Sequence, residues 1–138
     1  MVRVIMGVKG TGKTKQMIDL INSAVDTENG HVVCIERGKK LTYDIHSKIR
    51  LVEAAPYEIN SYDMLKGFIS GLYAGNFDTT HIFIDSLTKI VGKDKDVDVD
   101  TEKFLAWLDS FGEKNGIKFT VTISADVSLA PEGISRYF

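Results

Sequence analysis

Residues 7–14 of the chain read GVKGTGKT, directly after the apolar run VIM and directly before a segment with helical periodicity. This stretch matches the pattern G-x-x-x-x-G-K-[ST], and its position between a strand and a helix is the one that the pattern requires. Glycines allow such a loop to turn its amides inward, because no Cβ stands in the way. The amides and the positive end of the following helix then attract phosphate oxygens. The alternative is a glycine-rich turn that matches by chance.

The motif, a Walker A sequence, assigns a role to each of its residues. We predict that Lys13 reaches the β- and γ-phosphates of a nucleotide and takes part in catalysis, and that the Thr14 hydroxyl ligates Mg²⁺. The predicted nucleotide-binding residues are Gly7, Gly10, Thr11, Gly12, Lys13 and Thr14.

Outward from this loop, apolar strands and amphipathic helices alternate along the chain. Strands are predicted over 2–6, 31–36, 81–85 and 118–124, and helices over 12–26, over 61–74 and around 104–115. Alternation of this kind predicts parallel strands covered on both faces. We therefore expect an α/β protein with a three-layer α/β/α P-loop NTPase fold and a mainly parallel sheet, formed by one nucleotide-binding domain over residues 1–138.

Two segments allow more than one prediction. Residues 41–45 and 49–54 are predicted to pair as a small hairpin, and a short helix over 41–48 is the alternative. The tail, DVSLAPEGISRYF, is compatible with a short helix or with an edge strand.

Two of the predicted strands end in a carboxylate. HIFID ends in Asp85, which we predict to be the Walker B residue that binds Mg²⁺ together with Thr14; the alternative is an aspartate that only begins a turn. Serine follows Asp85, where many ATPases carry the glutamate that activates water. HVVCIE ends in Glu36, which is predicted to act as the catalytic base if its strand neighbours the Walker A or Walker B strand. The alternative is a surface ion pair between Glu36 and the basic residues Arg37, Lys39 or Lys40.

Composition excludes several other classes of protein. The 138 residues are 43% hydrophobic and 26% charged with a net charge of −2, so nucleic-acid binding is not indicated. The single cysteine, Cys34, is predicted to be a buried strand residue. His31 and His81 are interpreted as surface or capping residues, and KDKDVDVD (93–100) as a solvated loop. No run is long enough to span a membrane, so a cytoplasmic protein with no membrane partner is expected.

Four segments together carry a family resemblance. GVKGTGKT, HVVCIE, HIFIDSLTKI and TVTISAD, within residues 1–126, resemble the core of the RecA and KaiC type ATPases. That resemblance implies ATP and Mg²⁺ as cofactors, a glutamate in the place of Glu36, and a nucleotide-sensing role for Ser124 and Asp126. Members of that family often complete the site at a subunit interface, so the resemblance is compatible with a homo-oligomer or with a protein partner.

These features lead to one functional expectation and two alternatives. The leading one is an Mg-dependent ATP-binding protein with weak ATPase activity, in which Lys13 and Glu36 are catalytic. The second is a nucleotide-dependent switch or scaffold that binds a protein partner with negligible hydrolysis. A small-molecule kinase ranks last because the sequence shows no arginine-rich lid.

Overall fold

The computed structural model of the chain describes residues 1–93 and 97–138. Five strands form one sheet: β1 (Val2–Met6), β2 (His31–Glu36), β3 (Arg50–Glu53), β4 (Thr79–Ile84) and β5 (Lys118–Ile123). Their order is β1-β5-β4-β2-β3, and every neighbouring pair is parallel. The mainly parallel sheet predicted from the apolar strands is confirmed.

Five α-helices connect the strands or follow them. They are α1 (Lys13–Thr27), α2 (Tyr62–Gly75), α3 (Leu87–Ile90), α4 (Val99–Asn115) and α5 (Glu132–Ser135). Two of the longer ones, α2 and α4, begin at side-chain caps. The Ser61 hydroxyl accepts the Met64 N–H at the start of α2, and Asp98 forms a capping box with Thr101 at the start of α4. Gly116, at φ 70°, ends α4 in the left-handed region.

The sheet buries a separate apolar cluster on each face. On one face α1 packs Met17 and Ile21 against Cys34 of β2 and Phe83 of β4. On the other face α2 and α4 contribute a larger cluster that includes Leu65, Ile69, Phe104, Leu105 and Leu108. Successive strand residues point to opposite faces, so near-continuous apolar strands serve both clusters. The three-layer α/β/α arrangement is therefore confirmed.

The parallel topology brings four chain segments to one edge of the sheet. The phosphate loop leaves β1, Glu36 ends β2, Asp85 follows β4 and Ser124 follows β5. Because β5 lies between β1 and β4, the loop and Asp85 stand on either side of the end of β5. Ligands of open α/β sheets bind at this edge.

The structure corrects the prediction for residues 41–54. No hairpin forms there; residues 41–48 make turns, and Arg50–Glu53 pairs in parallel with β2, with Cys34 opposite Leu51. The tail forms a short 3₁₀ helix at Val127–Leu129 and then α5, so the helical alternative is confirmed. The Val4 N–H donates to the Tyr137 carbonyl at 2.8 Å, so the end of the tail lies against the outer edge of β1.

Two further sequence predictions can be compared with the structure. Cys34 is fully buried, as predicted, and burial raises the pKa of its thiol. Within residues 1–93 and 97–138, no helix has both the length and the apolar character needed to cross a bilayer. Part of the predicted solvated loop, residues 94–96, lies outside the described residues.

The interpretation of His81 as a surface or capping residue is wrong. Its side chain is only 13% exposed, because β4 begins two residues earlier than predicted and places the ring inside the sheet. The ring stacks on Phe83 at 4.0 Å between centroids, and its Nε2 lies 2.9 Å from the Thr120 hydroxyl. Burial lowers the pKa of His81 to about 4, although Glu28 lies 3.6 Å from Nδ1 and favours the charged ring.

We expect this histidine to make the chain sensitive to acid. The unfolded chain binds the proton near pH 6.5 and the folded chain near pH 4, so stability is complete above pH 6.5 and declines as the pH falls between these values. The loss reaches about 3 kcal/mol at most. Urea unfolding at a series of pH values measures this loss. In the His81→Gln variant the free energy of unfolding should no longer fall between pH 6.5 and pH 4.

The His31→Gln variant is the matched control, because His31 is exposed at the start of β2. Glu28 also lowers stability as the pH falls further. Burial, the largest single effect, raises the pKa of this carboxyl, but the Lys118 ammonium 2.8 Å away, Thr80 and His81 together lower the pKa by more. An unchanged slope between pH 6.5 and 4.5 in His81→Gln would show that His81 does not cause the acid sensitivity.

Candidate functional site

A cavity of about 1020 Å³ opens at the carboxyl edge of the sheet. Its walls come from the phosphate loop, the start of α1, the end of β4 with α3, and the end of β5. Seven of the residues that the sequence singled out line it: Gly10, Gly12, Lys13, Thr14, Asp85, Ser124 and Asp126. The structure thus brings most of the predicted site into one space, whereas Gly7, Thr11 and Glu36 lie outside the lining.

The phosphate loop has the backbone that its glycines predict. Gly10 and Gly12 have φ values of 90° and 83°, in the left-handed region that a side chain disfavours. Gly12 precedes α1, and no side chain among the described residues caps that end of the helix. The first N–H groups of an α-helix have no partner within the helix. The start of α1 therefore offers hydrogen-bond donors and a positive dipole end to an anion in the cavity.

Gly7 and Thr11 hold the loop rather than line the cavity. The buried Gly7 donates its N–H to the Ile123 carbonyl at 3.2 Å, which ties the loop to β5. The Thr11 hydroxyl donates to the Val8 carbonyl at 2.8 Å. A Cβ on residue 7 would lie 2.5 Å from the Thr11 Oγ1, so a side chain at position 7 would displace the Thr11 hydroxyl.

Asp85 is oriented by a chain of two hydrogen bonds. The Thr122 hydroxyl donates to Asp85 Oδ1 at 2.8 Å and accepts the Ser86 N–H at 2.7 Å. Both Asp85 and Thr122 are buried, at 6% and 1% exposure. Ser86 has a φ of 56°, a strained value for a residue with a side chain. Among the described residues, Oδ2 of Asp85 has no hydrogen-bond donor, and Asp85 lines the cavity.

Glu36 meets the topological condition for a catalytic base but lies behind the cavity. Its strand neighbours β4, yet its side chain is 4% exposed and both carboxylate oxygens are bonded to the following loop. Oε1 accepts the Lys40 N–H at 2.9 Å, and Oε2 accepts the Leu41 N–H at 3.2 Å. Burial raises the pKa of Glu36, and these two bonds partly offset the rise. The surface ion pair is therefore not what the structure shows, and the base role stays a prediction.

Asp126 also has a structural partner. Its Oδ1 accepts the N–H of Ser128 at 2.9 Å and the hydroxyl of the same residue at 2.8 Å, which begins the 3₁₀ helix of the tail. The Ser128 hydroxyl and amide lower the pKa of Asp126. The nucleotide-sensing role that the resemblance implies for Asp126 and Ser124 stays a prediction.

Sequence reasoning missed six polar residues of the cavity wall: Lys9, Lys40, Ser86, Thr88, Lys89 and Thr122. The basic run RGKK was visible, but nothing in it separates Lys40 from Lys39. Thr88 and Lys89 belong to α3, which has four residues. A helix this short shows no recognisable periodicity in the sequence. With them, the charged residues of the described lining are Lys9, Lys13, Lys40, Lys89, Asp85 and Asp126, an excess of cations that suits an anionic ligand.

Comparison with known proteins adds information on the fold. No family model matches the chain. No curated protein matches it either. Among solved structures, the chain is similar to the flagellar accessory protein FlaH from Methanocaldococcus jannaschii, with a TM-score of 0.57 and 15% identity. The match covers 98% of this chain, which spans 65% of the length of FlaH. The chain therefore shares the α/β fold of FlaH, as expected from the predicted fold class, and at this identity the likeness extends to the fold alone.

Proposed function

We propose that the chain binds ATP together with Mg²⁺ at the phosphate loop and hydrolyses it slowly. One observation carries this proposal: the loop, Lys13, Thr14 and Asp85 line a single cavity at the carboxyl edge of the sheet. ATP is preferred to other triphosphates on the basis of the resemblance to RecA and KaiC type ATPases.

The phosphate chain would lie along the start of α1. The N–H groups there donate to phosphate oxygens, and the Lys13 ammonium neutralises the charge on the β- and γ-phosphates. No acidic residue occurs in the first turn of α1, so no carboxylate repels the ligand at this point.

The donor set of the cavity suits magnesium. Mg²⁺ prefers oxygen ligands and is usually held by one or two carboxylates together with water and substrate phosphates. The Thr14 hydroxyl and the free oxygen of Asp85 would hold it here, and the ion would supply charge neutralisation between the β- and γ-phosphates. The described residues contain no group of three side chains that would hold a metal without a nucleotide.

Slow hydrolysis follows from the carboxylates of the cavity. The two in the described lining are Asp85, bonded to Thr122 and assigned to the metal, and Asp126, bonded to Ser128. Glu36 would have to leave two backbone amides before it oriented a water molecule. This observation also favours the second function, a nucleotide-dependent switch or scaffold with negligible turnover. A single-turnover assay with radiolabelled ATP separates the two, since only the first predicts release of phosphate by the chain alone.

The test of the proposed function is the dependence of ATP binding on Mg²⁺. We expect calorimetric titration of the unchanged chain to show tighter binding with Mg²⁺ than with EDTA. In Thr14→Ala the Mg²⁺-dependent gain should fall about tenfold, since the variant lacks one metal ligand. Affinity in EDTA should stay as it was.

Thr27→Ala is the control, since Thr27 lies at the opposite end of α1, where its hydroxyl donates to the Ser23 carbonyl. Two results would contradict the proposal: no ATP binding by the unchanged chain, or the same Mg²⁺ dependence in Thr14→Ala as in Thr27→Ala.

A further inference from the structure

The loop over residues 37–41, between β2 and the turns that lead to β3, is anchored at its far end by Glu36. Oε1 of Glu36 accepts the Lys40 N–H at 2.9 Å, and Oε2 accepts the Leu41 N–H at 3.2 Å. The carboxylate is buried, and hydrogen bonds to a charged group are stronger than those between neutral groups. Its two oxygens therefore fix the backbone at the end of this loop.

The next residue anchors the same point from the other side. Leu41 is 1% exposed and belongs to the apolar cluster that contains Met17 and Ile21 of α1. Lys40 thus has its own N–H bound by Glu36 and its neighbour buried against the helix that carries Lys13 and Thr14. Its backbone is held in place relative to the phosphate loop, and its side chain keeps its freedom.

The side chains of Lys39 and Lys40 lie in different surroundings. Lys39 Nζ is 3.9 Å from the carboxylate of Glu53 on β3, outside the cavity lining. Lys40 lines the cavity together with Lys13 and Asp85. Since β2 lies beyond β4 as seen from β1, the loop that carries Lys40 leaves the sheet on the other side of β4 from the strand that leads into the phosphate loop.

We propose that Lys40 binds the terminal phosphate of a nucleoside triphosphate, and that Glu36 is the positioning residue that places Lys40 at the cavity. The proposal rests on the proposed function. Thr14 and Asp85 would hold the metal, which would neutralise the charge of the terminal phosphates, so these phosphates would lie near the end of β4. An ammonium group on the β2 side of the cavity would then lie closer to the γ-phosphate than to the other phosphates. Lys40 thereby distinguishes a triphosphate from a diphosphate.

The experiment compares ATP and ADP affinity, each with Mg²⁺, in Lys40→Ala and in Lys39→Ala. We expect Lys40→Ala to bind ATP about tenfold more weakly, which corresponds to one charge-assisted hydrogen bond in a partly solvated site. ADP affinity should change little, and Lys40→Arg should restore most of the ATP affinity. Lys39→Ala should leave both affinities as they are, since it removes the same charge one residue away.

Glu36→Gln separates positioning from base catalysis. The amide group cannot accept both N–H bonds, so the loop loses an anchor and ATP affinity should fall selectively, as in Lys40→Ala. The double variant Glu36→Gln/Lys40→Ala should be no weaker than Lys40→Ala, because Glu36 acts through Lys40. A base would show the opposite pattern, with unchanged ATP affinity and slower hydrolysis in Glu36→Gln.

The outcomes distinguish this inference from the function on which it rests. Absence of nucleotide binding by the unchanged chain would overturn the proposed function. Normal binding by the unchanged chain, with an equal loss for ATP and ADP or no loss at all in Lys40→Ala, would overturn the inference alone.

Discussion

Lys13→Ala is expected to weaken the binding of Mg·ATP by about 100-fold, the cost of leaving a charged partner unpaired in a partly buried site. Lys13 lies at the start of α1, directly after the loop glycines, and lines the cavity, so its ammonium is expected to neutralise the charge of the bound phosphates. The variant keeps the loop backbone, because the glycines and the bond from Gly7 to β5 do not depend on this side chain. Calorimetric titration with Mg·ATP measures the effect.

Lys15→Ala is the matched control. Lys15 lies in the same first turn of α1, is exposed and does not line the cavity, so its removal changes the net charge without removing a ligand contact. We expect less than a twofold change in affinity, as for a solvated charge that salt screens. Equal losses in the two variants would mean that the chain attracts ATP only by its general charge.

Thr122→Val is expected to impair both stability and the use of Mg²⁺. Valine has the shape of threonine but lacks the hydroxyl that joins Asp85 Oδ1 to the Ser86 N–H. A buried carboxylate oxygen and a half-buried amide are then left without a partner, at a cost of about 2–4 kcal/mol in the free energy of unfolding. Asp85 also loses the bond that orients it, so the gain in ATP affinity on adding Mg²⁺ should shrink. Urea unfolding and calorimetry in Mg²⁺ and in EDTA measure the two effects.

Thr120→Val is the control that separates the loss of stability from the loss of Mg²⁺ dependence. Thr120 lies two residues earlier on β5, on the same face, and its hydroxyl pairs with the His81 ring instead of Asp85. This variant should lose stability and keep its Mg²⁺ dependence, whereas Thr122→Ser should recover both properties. Unaltered Mg²⁺ dependence in Thr122→Val would show that Thr122 does not position Asp85.

The helices and most strands could be predicted because their signals are local. Periodic apolar residues and nearby caps such as Ser61 and Gly116 mark where each helix begins or ends. The hairpin prediction over 41–54 was wrong because short apolar segments separated by a few polar residues suit a hairpin and a loop equally well. The structure of this segment is decided by the free edge of β2, because Leu51 and its neighbours pair with that edge as a parallel strand. No local pattern carries that information.

The residues of the candidate site also differ in whether the sequence alone could predict them. The loop residues of the cavity are contiguous in the chain, and Asp85 ends a recognisable strand, so sequence alone could place them together. The partners of Asp85 and Glu36 could not be read from it. Thr122 is 37 residues from Asp85 in the chain, and their contact depends on β5 lying beside β4. Lys40 and Lys39 have the same chemistry, and only the burial of Leu41 and the carboxylate of Glu36 decide which of them reaches the cavity.

A crystal structure of the chain with a non-hydrolysable ATP analogue and Mg²⁺ tests the central claim most directly. We predict phosphate oxygens within hydrogen-bond distance of the amides of residues 10–14 and of Lys13 Nζ, and a metal ion between the Thr14 hydroxyl and Asp85. A nucleotide bound elsewhere, or a phosphate loop that remains empty at saturating analogue and Mg²⁺, would contradict the claim.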